Sequence, residues 1–241
     1  MKISGSGSIC AGEYTEAVKI SGSGKLCGNI KCKGFSSRGT VKGSGDIISD
    51  GTASTSGYTS IYGSLKATED VTASGTTKIG GAITSEKNIS ASGTLKCGSD
   101  IKCEKFKMSG SLTVNGGIEA EEIKTSGKVT CCGFINAEST EIGFSYCENT
   151  VYGIGGANVS VHYKNEIFAA LPVISKLLSL HKLRIIDSIE GDIVSLSGVI
   201  APKVTGRVVN IGAGCEIERV FYSESITIDP HATVKNFEKT N

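Results

Sequence analysis

Apolar residues in this chain come in pairs two residues apart, and successive pairs stand about six residues apart. After Gly75 the less polar positions are Thr77 and Ile79, then Ile83 and Ser85, then Ile89 and Ala91. A spacing of two puts both members of a pair on one face of a β-strand. Three pairs make one unit, and a glycine marks each repeat: Gly5, Gly22, Gly39, Gly57, Gly75, Gly93, Gly110 and Gly127 are 17 or 18 residues apart. Three short strands, each turning two side chains inward, cannot bury those side chains alone. They need another coil above and below. The pattern predicts an all-β fold, a parallel β-helix (solenoid) of about twelve 17–18-residue coils with a triangular cross-section.

The register holds from coil to coil. Eight positions after the glycine the chain reads Ile30, Ile47, Leu65, Ile83, Ile101, Ile118 and Ile135. Two residues on come Cys32, Ser49, Ala67, Ser85, Cys103, Ala120 and Ala137, and a third column holds Phe35, Val71, Ile89, Phe106 and Ile123. The shorter units lose their residue between the second and third strands, in a turn. After about residue 143 the pattern loosens, and "NEIFAALPVISKLLSLHK", from Asn165, breaks it with the longest apolar stretch of the chain. Coils resume near Ile189. "IGAGCEIERV" and "IDPHATVKNF" then align with Ile211 on Ile228, Cys215 on Ala232, Ile217 on Val234 and Val220 on Phe237. The expected organisation is N-terminal coils over 2–163, an apolar insertion over 164–188, and C-terminal coils over 189–238 stacked on the first block. At ~4.8 Å per coil such a rod spans roughly 55 Å.

Composition narrows the function classes. The formal net charge is +1, with 25 Lys and Arg against 24 Asp and Glu, which gives no reason to expect a nucleic acid. The 32 glycines follow no three-residue period and there are only 3 prolines, which excludes collagen. Apolar residues recur throughout, against low-complexity disorder. The opening "MKISGSGSICAGEY" has no apolar run of a signal peptide, and nine cysteines then point to free thiols in a reducing cytosol. The expected location is the cytoplasm.

Candidate chemistry is sparse. The cysteines lack the paired close spacing of zinc ligands. Cys32, Cys97, Cys103, Cys131 and Cys215 fall at inward positions where other coils have small or aliphatic residues, so they read as core filler. His162, His181 and His231 belong to no catalytic motif, and "GSGSIC" and "GIGGAN" are not phosphate loops. No cofactor and no metal is expected. Lys25, Lys42, Lys78 and Lys96 form an outward ladder, read as protection against lateral association and for solubility. In the insertion, Pro172 suits a first helical position, and Val173, Ile174, Leu177, Leu178 and His181 follow helical spacing; Ile167, Phe168 and Leu171 extend the apolar run. A short amphipathic helix there would lie on the β-helix wall, on a membrane surface or on a partner.

Units of the type "ISGSGKLCGNIKC", Ile20 to Cys32, repeated along most of the chain, resemble the bactofilins, polymer-forming cytoskeletal proteins of bacteria. The resemblance covers Lys2 to about Ala137 and Ile189 to Phe237. It implies a right-handed β-helix, in agreement with the usual hand of parallel crossovers. It also implies a non-enzymatic scaffold that polymerises end to end through its apolar terminal coils, usually at the cytoplasmic membrane. Carried onto this chain, the polymer interface would use Ile3, Ile9 and Tyr14 at one end and Ile228, Val234 and Phe237 at the other. The expected partner is a second copy of the chain, with client proteins unspecified. The family's N-terminal membrane-targeting stretch is not seen, so contact with the inner face of the membrane would fall to residues 166–181.

Two readings compete with the scaffold. "IGAGCE" and "IDPHAT" resemble hexapeptides of left-handed acyltransferases, with His231 as the base, although the 17/18 alternation breaks a strict six-residue frame. A monomeric β-helix that binds partners is the other. A secreted adhesin or polysaccharide lyase fits less well, for want of a signal peptide and a carboxylate cluster.

Overall fold

A computed structural model describes residues 1–145, 147–163 and 182–240. Among these residues there are strands and no helix, and the strands pair in parallel as a β-solenoid of about 13 turns. The chain forms two compact units, Met1–Ala120 and Glu121–Asn241.

In the first unit long strands wrap one corner of each coil: β1 (Lys2–Tyr14), β2 (Val18–Cys32), β3 (Phe35–Gly43), β5 (Ala53–Ile61), β7 (Val71–Ile79), β9 (Asn88–Cys97) and β11 (Lys105–Val114). Short strands β4 (Ile47–Ser49), β6 (Leu65–Ala67), β8 (Ile83–Ser85) and β10 (Ile101–Lys102) make the middle wall. The column Ile30, Ile47, Leu65, Ile83, Ile101, Ile118 is in register step by step, and each member is at most 1% exposed. Burying one such side chain contributes about 1.5–3 kcal/mol relative to leaving it in water. The column beginning at Phe35 runs through Ala53, Val71, Ile89 and Phe106; Ala53, at 0% exposure, belongs to it although it is small. Inward hydroxyls pair with each other across coils: Ser37 Oγ with Thr59 Oγ1 and Thr55 Oγ1 with Thr77 Oγ1, each at 2.8 Å. Paired in this way, they avoid the cost of a buried polar atom without a partner.

The marker glycines have two reasons to be glycine. All eight have positive φ, from 86° at Gly75 to 130° at Gly127, a region that disfavours a Cβ. From Gly22 to Gly110 they also stack, so that a Cβ on each would collide with the carbonyl oxygen of the glycine one coil earlier.

A second corner is held by side chains. Asn29 Oδ1 accepts from Asp46 N at 2.9 Å, Asp46 Oδ1 from Ser64 N at 2.8 Å, and Ser64 Oγ from Ala82 N at 3.2 Å. Asp100 Oδ1 accepts from Gly117 N at 2.8 Å. Gly45, Gly63, Gly81 and Gly116 leave the space these acceptors occupy.

The second unit holds the later part of β12 (Ile118–Phe144), then β13 (Asn149–Tyr163), β14 (Leu183–Ile185), β15 (Ile189–Leu196), β16 (Val199–Ile211), β17 (Glu216–Ile228) and β18 (Thr233–Lys239). Where the pattern loosens, Asn149 closes the turn. Its Oδ1 accepts from Val129 N at 2.9 Å, and its Nδ2 donates to Ser145 O and Cys147 O. Phe144 and Tyr163 pack with ring centroids 4.6 Å apart. Leu183–Ile185 already pairs with Asn149–Val151, so the coil is in place six residues before Ile189. One column runs Ile135, Ile154, Ile189, Val204, Val220, Phe237, and its last step, with the pairs Ile211 on Ile228 and Ile217 on Val234, follows the predicted alignment.

Candidate functional site

The first and last coils carry the predicted interface residues. In the first coil, β1 pairs with β2 in register from Lys2 on Lys19 to Cys10 on Cys27. Ile9 is fully buried, while Ile3 and Tyr14 are half-buried. The Tyr14 hydroxyl donates to Cys10 O at 2.7 Å, which folds the ring back over its own coil. A Cβ built on Gly5 would meet nothing within 4 Å, whereas the equivalent glycines above it rest on a carbonyl oxygen. One glycine-corner stacking position is therefore open at this end.

In the last coil, Phe237 is 57% exposed although the residue below it in the column, Val220, is 1% exposed. Val234 and Ile228 are half-buried over the buried Ile217 and Ile211. Ile226, half-buried over the buried Val209, belongs with them and was missed from sequence. The alternation of Ile226 with Ile228 is the signal that could have found it. These four residues occupy core columns and lack the covering coil that their counterparts have.

The thiols divide by position. Cys32, Cys97, Cys103, Cys131 and Cys215 are buried, at the inward positions expected, and Cys132 is exposed, so neighbours Cys131 and Cys132 face opposite ways. Desolvation pushes the thiols of Cys32 and Cys97 up, that of Cys103 to about 12 and that of Cys215 to about 11. They stay protonated at neutral pH, the wrong form for a nucleophile or a metal ligand. Among the described residues no group of three or more His, Cys, Asp or Glu could hold a metal ion. His231 sits on an exposed turn, where its backbone N and Nδ1 lie 2.7 and 3.2 Å from Asp229 Oδ1. His162 is half-buried in β13.

Ile167, Phe168, Leu171, Val173, Ile174, Leu177, Leu178 and His181, with the helix expected there, lie outside the described residues. No helix among the described residues is long and apolar enough to cross a membrane.

No protein-family model matches the chain, and no solved structure matches it. Two proteins of Bacillus subtilis (strain 168) are similar in part. The uncharacterized protein YhbF is 34% identical over 100 residues, which is 42% of this chain and 38% of YhbF. The uncharacterized protein YhbE is 43% identical over 53 residues, 22% of this chain and 22% of YhbE. The chain spans well under half the length of these curated relatives.

Proposed function

We propose that the protein is a non-enzymatic structural scaffold whose chains join end to end through the coils at residues 1–14 and 224–239. The supporting observation is the uncovered inner face of the last coil, where Phe237, Val234, Ile226 and Ile228 continue core columns into solvent. Full burial of an aliphatic or Phe side chain contributes about 1.5–3 kcal/mol. Four partly exposed ones come near the lower end of an association cost of about 4–15 kcal/mol. The remainder would come from the coil's open edge, whose backbone N–H and C=O groups gain partners when another coil stacks on them.

The repeat pattern that resembles the bactofilins supports the same reading and extends it. The chain would be a cytoskeletal polymer in the cytoplasm, with itself as first partner, and residues 166–181 would supply any contact with the inner face of the membrane. This mechanism needs no catalytic residue and no cofactor.

Negative-stain electron microscopy of the full chain at physiological salt tests the proposal. Rods or filaments many times the span of one chain are expected. Discrete particles of monomer or trimer size at every protein concentration would overturn it.

A further inference from the structure

The wall of the first unit that follows each marker glycine carries more outward lysines than the wall before it, four in its column against Lys2, Lys19 and Lys107 in the other. Its outward column reads Ser8, Lys25, Lys42, Ser60, Lys78, Lys96 and Thr113, in register throughout. No carboxylate stands in that column. Lys25, Lys42 and Lys96 have no ion pair among the described residues, and Lys78 lies over the Tyr58 ring at 5.4 Å. On the middle wall two of the three lysines are paired, Lys31 3.7 Å from Glu13 and Lys102 2.8 Å from Glu119, and Lys66 stands alone between Ile48 and Thr84 among the described residues. The second unit pairs Lys203 with Glu190 and Lys235 with Glu218. At the next corner Asp46 and Asp100 are committed to backbone N–H groups. Stacked like charges are destabilising, and a solubility role is served as well by mixed signs.

Gly7, Gly24 and Gly43 take inward positions beside this column, and an open groove of about 700 Å³ lies along Lys25 and Lys42. Hydroxyls of Ser6, Ser8, Ser23, Thr40 and Ser44 line the groove, and Tyr62, 79% exposed, stands at its edge.

We propose that this groove binds a linear acidic polysaccharide, with Lys25 and Lys42 on its acid groups, the hydroxyl side chains on its sugar hydroxyls and Tyr62 under a sugar ring. The cations follow one line, a coil step of ~4.8 Å apart between Lys25 and Lys42, which suits a polymer running along the coil axis. Single-stranded nucleic acid needs successive aromatic platforms, and this groove has one free ring. The site lies in the first unit, and its lysines and Tyr62 belong to coils above the terminal coil at residues 1–14.

Titration calorimetry of the full chain at low salt tests the site, with polygalacturonate as probe and dextran, a single-stranded oligonucleotide and vesicles of anionic phospholipid as comparators. Polygalacturonate is expected to bind, and dextran, which lacks acid groups, to bind far more weakly. Lys25→Glu with Lys42→Glu should weaken binding about tenfold or more. Tyr62→Ala should weaken it about threefold, a loss that a purely electrostatic surface would not show. Lys66→Glu on the middle wall should leave affinity within about twofold. Both lysines point outward where other coils carry Ser or Thr, so circular dichroism should be unchanged. The proposal fails if polygalacturonate does not bind, if Lys66→Glu weakens it as much as the groove variants, or if Tyr62→Ala has no effect. Tighter binding of the oligonucleotide or the vesicles would assign the groove to that class of partner instead.

Discussion

At the scale of single residues, the solenoid depends on positions where almost nothing fits. Gly75 combines φ 86° with close approach to Gly57, so Gly75→Ala adds a backbone penalty to a collision. Gly5, at φ 99°, has the penalty without the collision. Chemical unfolding should show Gly75→Ala costing more than about 2 kcal/mol and Gly5→Ala about 1–2 kcal/mol. Equal costs would mean that the stacking contact contributes nothing. Buried thiols make a second residue-level prediction. The thiol group ordinarily titrates near 9, but Cys103 and Cys215 keep their protons to about 12 and about 11 in the fold. Above pH 9 unfolding therefore releases protons, and each thiol lowers stability by up to ~1.4 kcal/mol per pH unit until its folded pKa is reached. Below pH 8 the contribution is fully present. Denaturant titrations at pH 8, 9.5 and 10.5 should show a shallower decline in Cys103→Ala/Cys215→Ala than in the parent; an identical decline would exclude these thiols as the cause. The inward placement of both residues was legible in sequence because each falls in a column of small or aliphatic residues. Their shifted titration was not, since it depends on how completely neighbouring coils exclude water.

At the scale of elements, two kinds of order hold one coil on the next. The aliphatic columns were readable from spacing alone, because a period of two within a strand and 17 or 18 between coils leaves one consistent register. The acceptor ladder at the next corner was not read, although its signal lies in the chain seven residues after four of the marker glycines, Gly22, Gly39, Gly57 and Gly93: Asn29, Asp46, Ser64 and Asp100. Such residues are common in any loop, and only the backbone shows that each reaches the N–H of the coil above. Asp46→Ala leaves Ser64 N without its partner and should cost about 1 kcal/mol. Asp46→Asn should restore most of this, because Asn29 does the same one coil below. Thermal unfolding of the two variants distinguishes a hydrogen-bond role from a charge role: if Asp46→Asn is as unstable as Asp46→Ala, the charge matters. Asn149 is the counterpart in the loosened region, where the glycine marker is lost and one amide bonds three backbone groups.

At the scale of the whole molecule, the last coil leaves core columns uncovered, with Phe237 57% exposed above Val220. Phe237→Arg places a charge where a stacking coil would have to bury it, and an unpaired buried charge is strongly unfavourable. Filaments should be lost or reduced to short oligomers, with the β signal in circular dichroism intact because Phe237 is already exposed. Filaments of normal length would show that this end is not an interface.

Sequence alone determined the solenoid, its coil length, and the inward columns and register of the regular coils from Ile30 to Ile118 and from Ile211 to Phe237, because a repeating fold imposes the same geometry on every unit and so prints its period into the chain. Tertiary structure decided which polar residues are tied to backbone, which core residues are left uncovered at the ends, and which lysines lack a carboxylate neighbour. Each of these is a relation between coils, set by what stands one turn away in space, and 17 or 18 residues of intervening chain conceal it from a linear reading.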